Sequence, residues 1–160
     1  MTKQTPPPSA LGLEVPDFSL IATGGQPFRL AALRGKAVVL YFYPKDSTPG
    51  CTTEAQQFRD RHADFVSAGA SIWGISRDGL KSHENFKDKL GLPFELLCDP
   101  DEAACSLFDV IKMKNMYGKQ VRGIERSTFL IDKYGRLARE WRGVKVDKHA
   151  EEVLTALQSL

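Results

Sequence analysis

The chain has few cysteines and no long apolar run. Its 160 residues include three cysteines, Cys51, Cys98 and Cys105, and this odd number at wide spacing is unlike the framework of a secreted disulfide-bonded domain. The cysteines also lack the paired spacing of zinc ligands, so we expect no metal and no cofactor. No apolar stretch approaches the ~18 residues of a membrane span. This composition favours a protein of the reducing cytoplasm.

An excess of charge of one sign is also missing. Lysine and arginine number 22 against 20 aspartates and glutamates, a net charge of +2. No basic cluster stands out, so nothing indicates a nucleic acid or a membrane as partner. Residues 1–10 are rich in proline and lack the apolar segment of a signal peptide. We interpret residues 1–10 as a flexible leader and residues 11–160 as one domain, which is long enough to bury a normal core.

One stretch stands out among the apolar segments. Ala37–Tyr43 is rich in β-branched and aromatic residues, as expected of a central strand buried on both faces. Pro44 cannot donate a hydrogen bond to a neighbouring strand, so the strand should end there. After a turn at 49–50, apolar residues at helical spacing begin, which predicts a helix from Cys51 to about Gly69. Cys51 therefore begins a helix at the end of a buried strand.

The rest of the chain alternates between predicted strands and helices. Ser82 is the predicted N-cap of the helix at residues 83–90. Residues 110–123 show no periodicity, so we expect a loop or a short irregular strand there. An N-terminal hairpin is predicted around residues 23–27. The remaining predictions are strands at 70–76 and 94–97, helices at 83–90 and from 99 to 108, a hairpin of 128–132 with 137–141, and an amphipathic helix at 148–160. This order predicts an α/β domain.

The position of Cys51 has a chemical consequence. A helix N-terminus presents unpaired N–H groups and a partial positive charge. Both stabilise a thiolate relative to a thiol, and the thiolate is the nucleophilic form of cysteine. The alternative is a buried cysteine that packs as a small apolar side chain.

Two motifs carry a resemblance to a known family. The residues Pro44, Thr48 and Cys51 match the P-x-x-x-T/S-x-x-C signature of peroxiredoxins, and the run from 41 to 54 resembles the bacterioferritin-comigratory-protein (PrxQ) subfamily. The segment from Gly123 to Asp132 resembles the part of that subfamily that carries its active-site arginine. The resemblance extends over nearly the whole chain. It implies a thioredoxin-like fold, with a central mixed sheet flanked by helices and an N-terminal extension.

The resemblance also implies roles for individual residues. Cys51 is the expected nucleophile, which attacks a peroxide and becomes a sulfenic acid. Thr48 is expected to hydrogen-bond the thiolate or the peroxide, although its hydroxyl also suits a local turn or an N-cap. Pro44 is expected to shield the sulfur. Arg126 is expected beside the sulfur, whereas its sequence position alone indicates a solvated charge. Glu54 is expected to orient this arginine or to interact with the helix dipole.

The sequence departs from the subfamily at the second cysteine. Many members carry a resolving cysteine five residues after the nucleophile, where this chain has Gln56, and others carry it on the following helix, which here contains no cysteine. Cys98 and Cys105 are the remaining candidates. Cys98 is expected two strands away from the strand before Cys51, too far for a disulfide without rearrangement. We therefore leave open a resolving role for Cys105 or Cys98 and a one-cysteine cycle completed by an external thiol.

These expectations define a function and its alternatives. The predicted activity is antioxidant: a peroxidase, acting as a monomer, that reduces hydrogen peroxide and organic hydroperoxides and is re-reduced by thioredoxin or a similar thiol. A thioredoxin-type disulfide oxidoreductase would need a Cys-x-x-Cys pair, but Thr52-Thr53-Glu54 follows Cys51. A redox-sensing or holdase protein on the same fold is the non-enzymatic alternative.

Overall fold

The structure, a computed structural model, describes residues 10–160. The leader predicted at residues 1–10 lies outside the described residues except for Ala10. The predicted extent of the domain, residues 11–160, stays a prediction.

A mixed sheet occupies the centre of the part of the chain that the structure describes. Its strands are β1 (Ser19–Ala22), β2 (Gln26–Arg29), β3 (Ala37–Phe42), β4 (Ala70–Ser76), β5 (Glu95–Cys98), β8 (Ser127–Ile131) and β9 (Leu137–Arg142). The order across these seven strands is β2-β1-β5-β4-β3-β8-β9. Strands β3, β4 and β5 run parallel, and the others pair antiparallel. The predicted α/β class and mixed sheet are confirmed.

Helices cover both faces of this sheet. They are α1 (Pro49–Asp60), α2 (His62–Ser67), α3 (Leu80–Leu90), α4 (Ala103–Leu107) and α5 (His149–Gln158). Short 3-10 turns occupy Thr23–Gly25 and Leu30–Leu33. Helices α1, α2, α3 and α5 contribute apolar side chains to the core on one face, and α4 and the N-terminal hairpin contribute to the core on the other. None of the helices described within residues 10–160 is long and apolar enough to cross a membrane.

Strand β3 contributes to both cores, because successive side chains of a strand point to opposite faces. Val39 and Tyr41 belong to the core beneath α1, whereas Val38, Leu40 and Phe42 belong to the opposite core. Every residue of β3 is buried, as the apolar run predicted. The buried strand therefore fixes the position of its own C-terminal end, where the loop toward Cys51 begins.

The helices depart from the predictions at three places. The helix predicted from Cys51 to Gly69 is two helices, because Arg61 (φ −108°, ψ 6°) leaves the helical conformation between α1 and α2. Helix α3 begins at Leu80 with Gly79 as N-cap. Ser82 is not the cap, since its hydroxyl donates to the carboxylate of Asp46 instead. Helix α4 is shorter than predicted and follows a residue with positive φ, Glu102.

The segment predicted to be a loop or an irregular strand is a regular ribbon. Strands β6 (Ile111–Met116) and β7 (Lys119–Ile124) pair antiparallel across the turn residues Tyr117 and Gly118, both at positive φ. Two turn residues at positive φ are typical of a type I′ hairpin. Most of the ribbon is exposed, so no buried face imposes the alternation of apolar and polar residues that would have revealed it.

Gly74 on β4 is closely packed. A Cβ atom at this position would lie 2.7 Å from Tyr41 Cζ and 2.8 Å from Leu96 Cδ2. Both of these side chains are fully buried. The glycine therefore leaves the space that the Tyr41 ring occupies.

We expect Gly74→Ala to destabilise the protein by about 1–3 kcal/mol, because neither buried neighbour can move without repacking the core. Gly123→Ala is the matched control on a strand, since its Cβ would meet only Arg77 Nη2 at 3.8 Å, and it should change stability by less than about 0.5 kcal/mol. Urea unfolding of both variants measures the difference. Equal stabilities would contradict the packing argument.

Candidate active site

Cys51 lies in the first turn of α1, directly after the loop that follows β3. Pro49 begins the helix and has no N–H group, so the orphan donors of the first turn come from the residues after it. Cys51 is 1% exposed and packs in the core beneath α1. The position that the sequence predicted for Cys51 is the one observed.

Arg126 reaches Cys51 from the neighbouring strand. In the antiparallel pair β3–β8, Ser127 lies opposite Phe42, so the residue before β8 lies beside the chain that leaves β3. The Arg126 guanidinium donates a hydrogen bond from Nη2 to Cys51 Sγ over 3.4 Å. A Cβ atom on Gly50 would lie 3.1 Å from the same Nη2, so this glycine leaves room for the guanidinium. The register of the sheet thus brings Arg126 into contact with Cys51, although the two residues are 75 positions apart in the chain.

Glu54 holds the other side of the guanidinium. Arg126 Nη1 donates to Glu54 Oε1 over 2.7 Å, and the two side chains are 16% and 1% exposed. Burial raises the pKa of Glu54 to about 7, although the charge and hydrogen bond of Arg126 act in the opposite direction. The second carboxyl oxygen, Oε2, is buried without a hydrogen-bond partner, which adds to the cost of ionising this group.

Thr48 and Pro44 lie in the same loop. The Thr48 hydroxyl donates to the backbone oxygen of Lys45 over 2.8 Å. This is the hydrogen bond of a local turn, which the sequence offered as the alternative to a contact with the thiolate. No hydrogen bond within residues 10–160 joins Thr48 to Cys51. Thr48 is also the residue before α1, and the backbone N–H of Thr52 donates to its carbonyl oxygen. Pro44 is half-buried where β3 ends.

The other two cysteines lie apart from Cys51. Cys105 is fully buried in the core on the opposite face of the sheet. Cys98 ends β5, which β4 separates from β3. Burial, followed by the charge of Asp46, raises the pKa of Cys98 to about 11. Burial, followed by Asp99, raises the pKa of Cys105 further, so neither thiol is ionised at neutral pH.

Two further side chains near Arg126 were not found from the sequence. Lys114 on the ribbon donates from Nζ to the Ile124 carbonyl oxygen, and burial and the charge of Arg126 lower its pKa. His149 Nε2 lies 2.7 Å from the hydroxyl of Thr128. Burial, followed by Arg126, lowers the pKa of His149 to about 4. Neither residue stands in a motif, because the sheet and the ribbon bring them near Arg126 from distant parts of the chain.

Comparison with known proteins identifies the family to which this chain belongs. The AhpC/TSA family model matches residues 11–140. Peroxiredoxin Bcp of Xanthomonas campestris is 54% identical over 92% of this chain and 94% of its own, and peroxiredoxin Bcp of Bacillus subtilis is 50% identical over 94% and 96%. A solved structure of the Xanthomonas campestris bacterioferritin comigratory protein superposes with a TM-score of 0.88 at 52% identity, covering 94% of this chain and 98% of that one. The chain belongs to the AhpC/TSA family.

Family membership decides between the functions left open above. The chain is a peroxiredoxin, a thiol-dependent peroxidase with a thioredoxin-like fold. The predicted family and fold are therefore confirmed, and the redox-sensing or holdase alternative is not favoured. Peroxide substrates and a thiol reductant follow from the same membership.

The raised pKa of Glu54 predicts how stability depends on pH. The folded value is about 7 against an ordinary value of 4.5, so the stabilisation from this group is complete below about pH 4.5 and is lost as the pH rises through about 7. In urea unfolding, the stability of the wild type minus that of Glu54→Gln should fall with rising pH in this window, by at most about 1.4 kcal/mol per pH unit. The exposed control Glu152→Gln should show no such slope. A difference that rises with pH would refute the assignment.

Proposed function

We propose that Cys51 is the nucleophile of this peroxidase and that Arg126 and Glu54 position the peroxide-reducing thiolate. The Cys51 thiolate attacks one oxygen of a hydroperoxide, an S–O bond forms and the O–O bond breaks. The products are the Cys51 sulfenic acid and an alkoxide or hydroxide, which takes a proton from solvent. The guanidinium stabilises the negative charge that develops on the leaving oxygen.

The contact between Arg126 and Cys51 carries this proposal. A half-buried guanidinium 3.4 Å from the sulfur favours the thiolate and is aimed at the place where charge moves in the reaction. Glu54 restrains the guanidinium from the opposite side over 2.7 Å. In our proposal Thr48 and Pro44 shape the loop that carries the peroxide, and the first-turn N–H groups of α1 add further donors.

The substrates that we propose are hydrogen peroxide and organic hydroperoxides. The Xanthomonas campestris bacterioferritin comigratory protein, 52% identical to this chain, has been studied for its reduction of alkyl peroxides. We propose further that the enzyme acts as a cytoplasmic monomer. Cys51, Glu54 and Arg126 all come from one chain, so the site needs no second copy.

The sulfenic acid, we propose, is reduced by an external thiol, supplied by thioredoxin or a similar reductant. Cys105 lies behind the sheet and Cys98 lies beyond β4. A disulfide requires Cα atoms within roughly 7 Å of each other. Both thiols are protonated at neutral pH, and the protonated form is a poor nucleophile. A one-cysteine cycle therefore suits the geometry better than an intramolecular disulfide.

Intact-mass measurement tests the nucleophile and the cycle together. One equivalent of hydrogen peroxide should add one oxygen to the reduced chain, trappable on Cys51 by a sulfenic-acid reagent. The Cys98→Ser/Cys105→Ser variant should gain the same oxygen and keep its turnover with thioredoxin. A loss of two hydrogens in the wild type would instead show an internal disulfide, and no mass change would contradict the role of Cys51.

The role of Arg126 predicts a large kinetic effect of a small change. Arg126→Lys keeps the positive charge but not the two-sided geometry, so the rate of Cys51 oxidation should fall by about 10²-fold. Arg139 is an exposed residue of β9, so the matched control Arg139→Lys should react at the wild-type rate. Stopped-flow mixing with hydrogen peroxide measures both variants. Equal rates would remove Arg126 from the mechanism.

A further inference from the structure

Asp46 connects the loop before Cys51 to the rest of the protein. Its backbone N–H donates to Asp78 Oδ2 over 2.9 Å. Its carboxylate accepts hydrogen bonds from the Ser82 hydroxyl over 2.8 Å and the Tyr43 hydroxyl over 2.6 Å. Within residues 10–160, every hydrogen bond that joins residues 44–48 to β4, α3 or the turn between them passes through Asp46.

His83 provides a further contact to the same carboxylate, from a fully buried ring. Its Nδ1 lies 2.7 Å from Asp46 Oδ2 and its Nε2 lies 2.8 Å from the Leu97 carbonyl oxygen. The ring is 0% exposed and the Asp46 side chain 4%. Helix α3 and strand β5 therefore hold the imidazole, and the imidazole holds the loop.

The hydrogen-bond partners indicate the charge on this pair. A carbonyl oxygen only accepts, so Nε2 carries a proton. Burial raises the pKa of Asp46, but the hydrogen bonds from His83 and Tyr43 lower it by more, so the net pKa lies below its ordinary value. An ionised carboxylate also only accepts, so Nδ1 carries a proton as well. The pair is a buried imidazolium–carboxylate ion pair.

The same atoms do not suit a metal ion. Asp46, Asp78 and His83 place potential ligand atoms within 4.8 Å of one another. However, both nitrogens of His83 are already used as donors, and Asp78 Oδ2 accepts from the Ser76 hydroxyl and the Asp46 backbone. A metal would require His83 to lose a proton and its contact with Asp46.

The two halves of the proposed cycle need opposite states of this loop. The structure shows the closed loop, in which Arg126 contacts Cys51 Sγ over 3.4 Å, and this is the arrangement that the proposed oxidation uses. Reduction needs access to the sulfenic sulfur for a thiol that carries a bulky group, and Cys51 is 1% exposed. A hydroperoxide reaches the thiolate with its terminal oxygen, whereas a reductant must bring its own sulfur against the Cys51 sulfur in line with the S–O bond. Opening of the loop would give the reductant this access.

We infer that the Asp46–His83 pair is a positioning device for the catalytic loop, which keeps Cys51 closed for oxidation and limits the rate at which the sulfenic acid is reduced. This inference rests on the proposed function. In this reduction, a thiol sulfur attacks the Cys51 sulfenic sulfur, so that an S–S bond forms and the S–O bond breaks. The hydroxide that leaves takes the thiol proton and becomes water. A second thiol then releases reduced Cys51 and a disulfide of the reductant.

The variant Asp46→Asn removes the charge of the pair while its amide can still donate to a neutral His83. Because a hydrogen bond to a charged group is lost, the loop should open more often, and reduction of the sulfenic acid by dithiothreitol should be about tenfold faster. Oxidation by hydrogen peroxide should stay within about threefold of the wild type, because the loop is still closed for most of the time and then keeps the contact of Arg126. Sequential stopped-flow mixing with a sulfenic-acid trap separates the two rates. Asp60→Asn, at an exposed ion pair, is the matched control and should leave both rates unchanged.

The outcomes distinguish positioning from general stability. Faster reduction with near-normal oxidation supports the inference, whereas unchanged rates, or two rates slowed together with a lower melting temperature, would overturn it. Should Asp46→Asn fail to fold, Ser82→Ala removes one neutral hydrogen bond from the same carboxylate. It should speed reduction by about threefold, and an unchanged rate there would equally overturn the inference. A wild-type chain that forms no sulfenic acid in the first mix would refute the proposed function itself.

Discussion

The half-buried guanidinium of Arg126 is the group on which the site depends. It contacts the Cys51 sulfur with one nitrogen and the Glu54 carboxylate with the other. Burying a cation is costly unless it has partners with good geometry, so the three residues stabilise one another only when helix α1 and strand β8 are both in place. The sheet register that puts Ser127 opposite Phe42 meets this condition.

A second charged pair, Asp46 and His83, lies on the other side of the loop that precedes Cys51. Asp46 and His83 restrain the loop toward α3, while Arg126 approaches Cys51 from β8. The loop is thus held on one side by Asp46 and His83, and the helix start that follows it is held on the other by Arg126. Removing one partner of such a pair leaves a buried charge uncompensated, which costs more than the pair contributes as a whole. The closed arrangement is therefore well defined, and in our inference the loop opens by separating Asp46 from His83.

The sequence was informative where the chemistry is local. The strand before Cys51, the loop prolines and the helix start are contiguous, so composition and spacing predicted them. Arg126 was found through the family motif alone, because 75 residues separate it from Cys51. His83 lay outside any motif and its contact with Asp46 depends on how α3 packs. The ribbon β6–β7 was missed since its exposed residues carry no apolar period.

The close packing at Gly74 has a consequence for how this chain can change over generations. Tyr41 fills the space that any larger residue at 74 would need, although the two positions are far apart in sequence. Substitutions at these positions are therefore not independent. A side chain at 74 costs less stability once the residue at 41 has become smaller, so the order in which the two substitutions arise sets how much stability a lineage loses between them.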